Sequence, residues 1–99
     1  MPDRIPEIPL IPSPQTDEAR AAVGYRWADA EIGHRHKLGG DPDWVQGSEV
    51  PSCTSCREPM TFYGQLDSIG ADFDLADCGL IYVFVCFGCF ETRSMLQSY

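Results

Sequence analysis

From Pro59 to Asp67 the chain alternates, with Met60, Phe62 and Leu66 on one face and Thr61, Tyr63, Gln65 and Asp67 on the other. That period of two predicts a half-buried strand. Leu80 to Cys86 reads Leu-Ile-Tyr-Val-Phe-Val-Cys, apolar on both faces, rich in β-branched and aromatic side chains and too short for a buried helix of its own. It predicts a central strand. Between the two lie Asp72, Asp74 and Asp77 with Gly70 and Gly79, an acidic connection of about a dozen residues that is long for a hairpin loop.

Elsewhere the pattern is weaker. Thr16 stands as an N-cap before Asp17-Glu18-Ala19-Arg20-Ala21-Ala22-Val23, with Gly24 as a stop, which predicts a helix of two turns at most. Tyr25 to His36 sets Tyr25, Trp27 and Ile32 among charges and reads as one or two strands around a turn at Asp29. Gly39-Gly40 marks a turn that requires positive φ and leads through Pro42 to Trp44. Phe90 to Tyr99 reads as a terminal helical turn. Pro2, Pro6, Pro9, Pro12 and Pro14 make residues 1–14 an extended, polyproline-like arm whose Ile5, Ile8, Leu10 and Ile11 lie on the body. No internal repeat is evident. The fold predicted is a β-rich α+β single domain, with the arm at 1–14, a metal-stabilised body at 15–99 and at most short helices.

Four of the five cysteines carry the strongest chemical signal. Cys53 and Cys56, then Cys86 and Cys89, form two CxxC pairs with 29 residues between them. Two such turns, brought to one end of a sheet by the two strands, supply four thiolates at the corners of a tetrahedron, the ligand set of one structural Zn²⁺. A closed four-thiolate shell leaves no position for a substrate. The competing chemistry is redox, but a redox CxxC opens a helix in a βαβ setting, whereas Pro59 follows the first pair and the second ends a strand. Met1-Pro2-Asp3-Arg4-Ile5-Pro6 has no apolar run, so no signal peptide is expected, the cytoplasm is the expected location, and a disulfide framework is not. Cys78 reads as a small buried residue in the turn Asp77-Cys78-Gly79.

Charge then narrows the function. With 15 acids against 7 bases the net charge is −8, and four thiolates on one zinc make the site more negative still. Nucleic acid is a poor partner for such a surface, although many zinc ribbons bind it. No 18-residue apolar run marks a membrane span. The body, about 85 residues, buries only about 60 to 65% of its unfolded surface, so a metal staple adds to a marginal core.

Lys37-Leu38-Gly39-Gly40-x-Pro42-x-Trp44-x-Gln46, then Pro51-x-Cys53-x-x-Cys56, Met60-x-Phe62, Gln65-Leu66 and Asp77-x-Gly79-Leu80-Ile81-Tyr82-Val83-Phe84-x-Cys86-x-x-Cys89 resembles the bacterial YwqG-like family and the N-terminal half of eukaryotic programmed cell death protein 2. The likeness covers residues 37–89. It implies a β-rich fold with a metal knuckle and, for the eukaryotic relatives, a chaperone role for a ribosomal protein; it transfers no catalytic residues. The chain departs from those relatives in being short, with one copy of the unit.

Other motifs have plainer readings. His34 and His36 share a strand face but have no placed carboxylate partner, so they stay outside the metal set. Asp72, Asp74 and Asp77 lack the rest of an EF-hand loop and read as a solvated acidic loop. Neither a phosphate-binding loop nor a GxSxG elbow occurs. Two function classes follow. One is a protein-interaction module, chaperone-like towards a protein or peptide client, with Trp44, Gln46, Tyr63 and Gln65 as the partner-binding groups. The other is an enzyme, either a thiol oxidoreductase using the CxxC pairs or a hydrolase without a recognisable signature. From the charge balance, the protein is expected to pass through a heparin column unretained at physiological salt; retention, or a salt-dependent gel shift with RNA or DNA, contradicts this.

Overall fold

A computed structural model describes residues 4–13, 15–23 and 32–99. The chain runs β1 (Ile8–Pro9), α1 (Asp17–Ala22), β2 (Lys37–Leu38), β3 (Thr61–Asp67), a 3-10 turn (Ala71–Phe73), β4 (Leu80–Val85) and β5 (Thr92–Gln97). The strands form one antiparallel sheet in the order β1-β2-β3-β4-β5. The protein is thus a small single domain dominated by a five-stranded sheet, with one short helix. Thr16 caps α1 as predicted, its hydroxyl accepting the N–H of Ala19 at 3.0 Å. The stop at Gly24 and the expected strands around Asp29 fall at 24–31, outside the described residues. Among the described residues no helix is long and apolar enough to cross a membrane.

Three expectations are corrected. The helical turn predicted after Cys89 is strand β5, paired from Val85 with Thr92 to Leu80 with Gln97. An apolar β4 needs ladder partners on both edges, and that demand outweighs the weak local preference of Thr-Arg-Ser-Met-Leu-Gln. The arm is no separate segment lying on the body, because Ile8 and Pro9 pair with Leu38 and Lys37 and extend the sheet. Gly39 and Gly40 admit it: both have positive φ, and a Cβ on Gly39 would stand 2.3 Å from the carbonyl oxygen of Pro6. Lys37 then ties the arm down, its Nζ reaching Glu7 at 2.8 Å and Asp43 at 3.2 Å.

The third correction concerns β3. Its register against β4 shifts between Phe62 and Gly64, leaving Tyr63 as an inserted residue. A slip of one residue exchanges the two faces. Phe62 keeps the core side opposite Phe84, but beyond the shift Gln65 faces Tyr82 and Asp67 faces Leu80, both buried, while Leu66 is half exposed. The predicted alternation therefore holds before Tyr63 and is inverted after it.

The core is the sheet face bearing Met60, Phe62, Leu80, Tyr82 and Phe84, continuous with Cys53 and Cys86 and covered by Trp44, Val45 and Met95. Trp44 lies 4.9 Å from the Tyr82 ring and 6.1 Å from that of Phe84. The buried Asp67 carboxylate is satisfied completely. Oδ2 accepts the N–H groups of Gly33 at 2.7 Å and Arg35 at 3.0 Å together with Arg35 Nε at 2.9 Å, and Oδ1 takes Arg35 Nη2 at 2.7 Å. Burial pushes this carboxyl up, but the Arg35 guanidinium and the backbone donors outweigh it and hold it below its ordinary value of 3.8. Removing one partner strands the other, so Asp67→Ala is expected to lower the unfolding free energy by about 3 kcal/mol in urea titrations. Because the folded carboxyl is the stronger acid, its contribution is complete above the unfolded value and is lost as pH falls through the folded one. The wild-type urea midpoint should therefore drop below about pH 4, and that component of the drop should be missing from Asp67→Asn.

Candidate metal centre

Both CxxC pairs lie at hairpin tips. Pro51 to Met60 doubles back on itself, with a bridge between Ser52 and Pro59 and Met60 donating to the Pro51 carbonyl at 2.9 Å, so Cys53 opens a tight turn just before β3. The second pair closes the β4–β5 hairpin. Since Thr61 pairs with Val85, the start of β3 and the end of β4 bring the two tips to the same end of the sheet.

The two turns are built alike. In the first, Cys53 donates to the Glu58 carbonyl at 2.9 Å and Arg57 to the Cys53 carbonyl at 2.8 Å. In the second, Cys86 donates to Glu91 at 2.8 Å and Phe90 to Cys86 at 2.7 Å. Arg57 and Phe90, each following the second cysteine of its pair, both have φ of 62°. The shared pattern Cys-x-x-Cys-x-Glu is a short structural repeat, a correction to the reading that the chain has none. Its signal in the sequence was the glutamate two residues beyond each pair.

These turns place the sulfurs of Cys53, Cys56, Cys86 and Cys89 within 4.8 Å of one another. Across the two turns, Cys53 Sγ lies 3.3 Å from Cys89 Sγ and Cys86 Sγ lies 3.8 Å from Cys56 Sγ. A tetrahedral ion with metal–sulfur bonds of about 2.3 Å would set its sulfurs about 3.8 Å apart, so the cluster fits such an ion with small adjustments. Cys53 and Cys86 are buried in the core, and Cys56 and Cys89 are exposed.

Electrostatics favours a cation here. The N–H groups of Cys89 and Gly88 draw the Cys86 thiol down to about 7, whereas the sulfurs of Cys86, Cys89 and Cys53 push Cys56 up to about 12. One proton leaves readily near neutral pH and another is held hard. Four thiols this close can all ionise only against a positive ion. The Glu91 carboxylate crosses from the second turn to the first and takes the Thr54 N–H at 2.9 Å and the Thr54 hydroxyl at 2.6 Å. The Thr54 hydroxyl and N–H hold Glu91 down to about 2.

The other predicted residues are placed differently. Gln65, expected on an outer face, is buried and fully engaged: its amide donates to the Arg35 carbonyl at 2.7 Å and to Asp43 Oδ2 at 2.8 Å, and its oxygen accepts the Asp43 N–H at 3.0 Å. Trp44 is half buried on the core. Gln46 is exposed, with its amide donating to the Ser98 carbonyl at 2.8 Å, and Tyr63 is exposed at the bulge. The four expected partner-binding residues are thus not on one surface. His36 Nδ1 accepts the Asp67 N–H at 3.0 Å, a structural role. Asp74, Asp77 and Cys78 cluster as well, but Asp74 Oδ1 already accepts the Cys78 N–H at 2.8 Å in a tight turn.

Among curated proteins the chain is similar to the uncharacterized protein YpfL of Salmonella typhimurium, 34% identical over 62 residues, which is 63% of this chain and 15% of that protein. The match therefore spans a small part of a much longer protein whose name assigns no activity. No family model matches the chain. No solved structure matches it.

The left-handed conformation at Arg57 and Phe90 costs about 1 to 2 kcal/mol for a residue with a Cβ. Phe90 is 72% exposed, so little packing offsets that cost. Phe90→Gly is expected to raise the unfolding free energy by about 0.5 to 1 kcal/mol, net of glycine's greater unfolded-state entropy. A loss of stability in thermal or urea melts would show that the Phe90 ring supports the hairpin.

Proposed function

We propose that the protein is a zinc-stabilised protein-interaction module in which the four-thiolate centre is structural and the sheet presents the binding surface. The observation that carries this reading is the closure of the cysteine cluster: four sulfurs on two hairpin tips complete a tetrahedral shell and leave no position for a reacting ligand. Thiolate ligands suit both zinc and iron; zinc, which has no redox chemistry and takes a tetrahedral four-thiolate shell, suits a structural staple. Cys53 and Cys86 belong to the apolar core, so loss of the metal would remove a cross-link anchored in the core itself.

For the binding role, the supporting features are the outer edge of β5, which among the described residues pairs only with β4, and the apolar row Leu66, Ile81 and Leu96 on the sheet's outer face, in register across three strands. An open edge accepts an extended peptide through backbone hydrogen bonds, and a neighbouring apolar row selects its side chains. The likeness to YwqG-like proteins and programmed cell death protein 2 supports a chaperone-like version of this role towards a protein client. Tyr63 and Leu96, both exposed beside that face, replace Gln65 and Trp44 as the groups on which recognition would rest.

Native mass spectrometry is expected to find one zinc per chain, with Cys78→Ser unchanged in stoichiometry because the two pairs already fill the shell. Removal of the metal by a strong chelator should abolish the folded circular dichroism signal, since structural sites contribute on the order of 10 kcal/mol. A metal-free chain with an unaltered melt refutes the structural role, and an iron mass increment refutes the choice of metal. For the binding face, Tyr63→Ala and Leu96→Asp should keep zinc content and melting temperature while losing a protein that the wild type captures from its native cell extract. Gln65→Ala, by contrast, should destabilise by about 2 kcal/mol because it leaves Asp43 and Arg35 backbone groups unpaired.

A further inference from the structure

The geometry points to Glu91 as a positioning residue of the metal centre: a clamp that joins the two hairpin tips and sets how slowly the metal leaves. The inference rests on the reading of the cysteine cluster as a metal site. Each tip supplies two thiolates from parts of the chain some thirty residues apart, and release of a tetrahedral ion begins when the tips separate and one pair of sulfurs lets go. Glu91 lies two residues beyond Cys89 on the second tip, and Thr54 lies inside the first CxxC turn. Both carboxylate oxygens of Glu91 are used, Oε2 on the Thr54 N–H at 2.9 Å and Oε1 on the Thr54 hydroxyl at 2.6 Å. The main chain of the same residue closes its own turn by accepting the Cys86 N–H at 2.8 Å. One residue therefore holds its own tip in shape and grips the other.

The repeat makes the device one-sided. By the correspondence of the two turns, the reciprocal pair would be Glu58 with Phe87, and phenylalanine has no hydroxyl to offer. The carboxylate also lies against the Cys53 thiol, but beside four thiolates its charge would be unfavourable, so the two hydrogen bonds from Thr54 are what would hold it once the sulfurs ionise. An amide at the same position preserves the grip, accepting the Thr54 N–H and donating to its hydroxyl oxygen, without the charge. Outer partners that orient metal ligands commonly change metal affinity 10- to 100-fold when removed.

The test is the rate at which zinc passes from the intact 99-residue chain to excess pyridylazoresorcinol, read alongside the cobalt-substituted absorption spectrum. Glu91→Ala is expected to release zinc about tenfold faster, Thr54→Val less so, and the double variant no faster than Glu91→Ala alone, because the two residues form one contact. Glu91→Gln and Thr54→Ser should remain within about twofold of wild type, and all variants should retain the cobalt spectrum of a four-thiolate site. Wild-type release from Glu91→Ala overturns the clamp, as does release from Glu91→Gln as fast as from Glu91→Ala, which would assign the effect to charge. A wild-type chain that gives no four-thiolate cobalt spectrum overturns the metal site itself and the clamp with it.

Discussion

The slip of one residue between Phe62 and Gly64 decides what the middle of this sheet does. Without it, Leu66 would complete an apolar core face and Gln65 and Asp67 would face solvent. With it, a buried amide and a buried carboxylate enter the core side next to Tyr82 and Leu80. A single sheet whose core face is covered by irregular chain must satisfy the backbone groups of that covering, because a buried N–H or C=O without a partner costs about 1 to 3 kcal/mol. The inverted half of β3 supplies those partners. Asp67 fixes the approach of residues 33–35, and Gln65 fixes Arg35 and Asp43. Gln97, buried opposite Leu80 on β5, does the same for the next turn of the loop, its oxygen accepting the N–H groups of Val45 and Gln46 and its amide donating to the Gly47 carbonyl. Among the described residues every buried side-chain nitrogen and oxygen finds a partner.

Those polar anchors explain how Trp44 comes to lie over Tyr82 and Phe84. The loop that carries it has no ladder of its own, yet Gln65, Tyr82 and Gln97, from three adjacent strands, hold its backbone at Asp43, Val45, Gln46 and Gly47, the Tyr82 hydroxyl donating to the Asp43 carbonyl at 2.7 Å. The ring supplies apolar area and the side chains of the sheet supply the geometry. Gln65, which reads in the sequence as suited to gripping a peptide, is in this way occupied with gripping a loop of the same chain.

At the other end of the sheet the core passes directly into the cysteine cluster, since Cys53 and Cys86 pack with Phe62 and Phe84 while Cys56 and Cys89 face outward. A body of this size has little apolar area to spare. The two hairpin tips converge there, bringing the cysteines at the start of β3 and at the β4–β5 turn within reach of one ion. The net charge of −8 lies on the same small body whose sheet carries the apolar row Leu66, Ile81 and Leu96 on the face away from the core.

The strand at 80–85, the capped helix at 17–22, the turn at Gly39-Gly40 and the four clustered cysteines were all legible in the sequence, because each depends on local chemistry: continuous β-branched and aromatic residues, a capping threonine, a need for positive φ, and a spacing that fits one ion. The glutamate repeated after each CxxC was equally legible and shows that the two tips share one construction. What the sequence could not carry were facts that arise only when strands meet. The phase of β3 after Tyr63 depends on a bulge against β4, and no pattern within β3 alone specifies it. Thr92 to Gln97 becomes a strand because β4 has an edge to fill, and the proline-rich arm joins the sheet because Gly39 and Gly40 leave room for its backbone. Thr54 and Glu91, 37 residues apart, have nothing in sequence to link them. Local spacing marked the four cysteines that can hold a metal ion, and tertiary pairing decided how they converge and which side chains join the two turns.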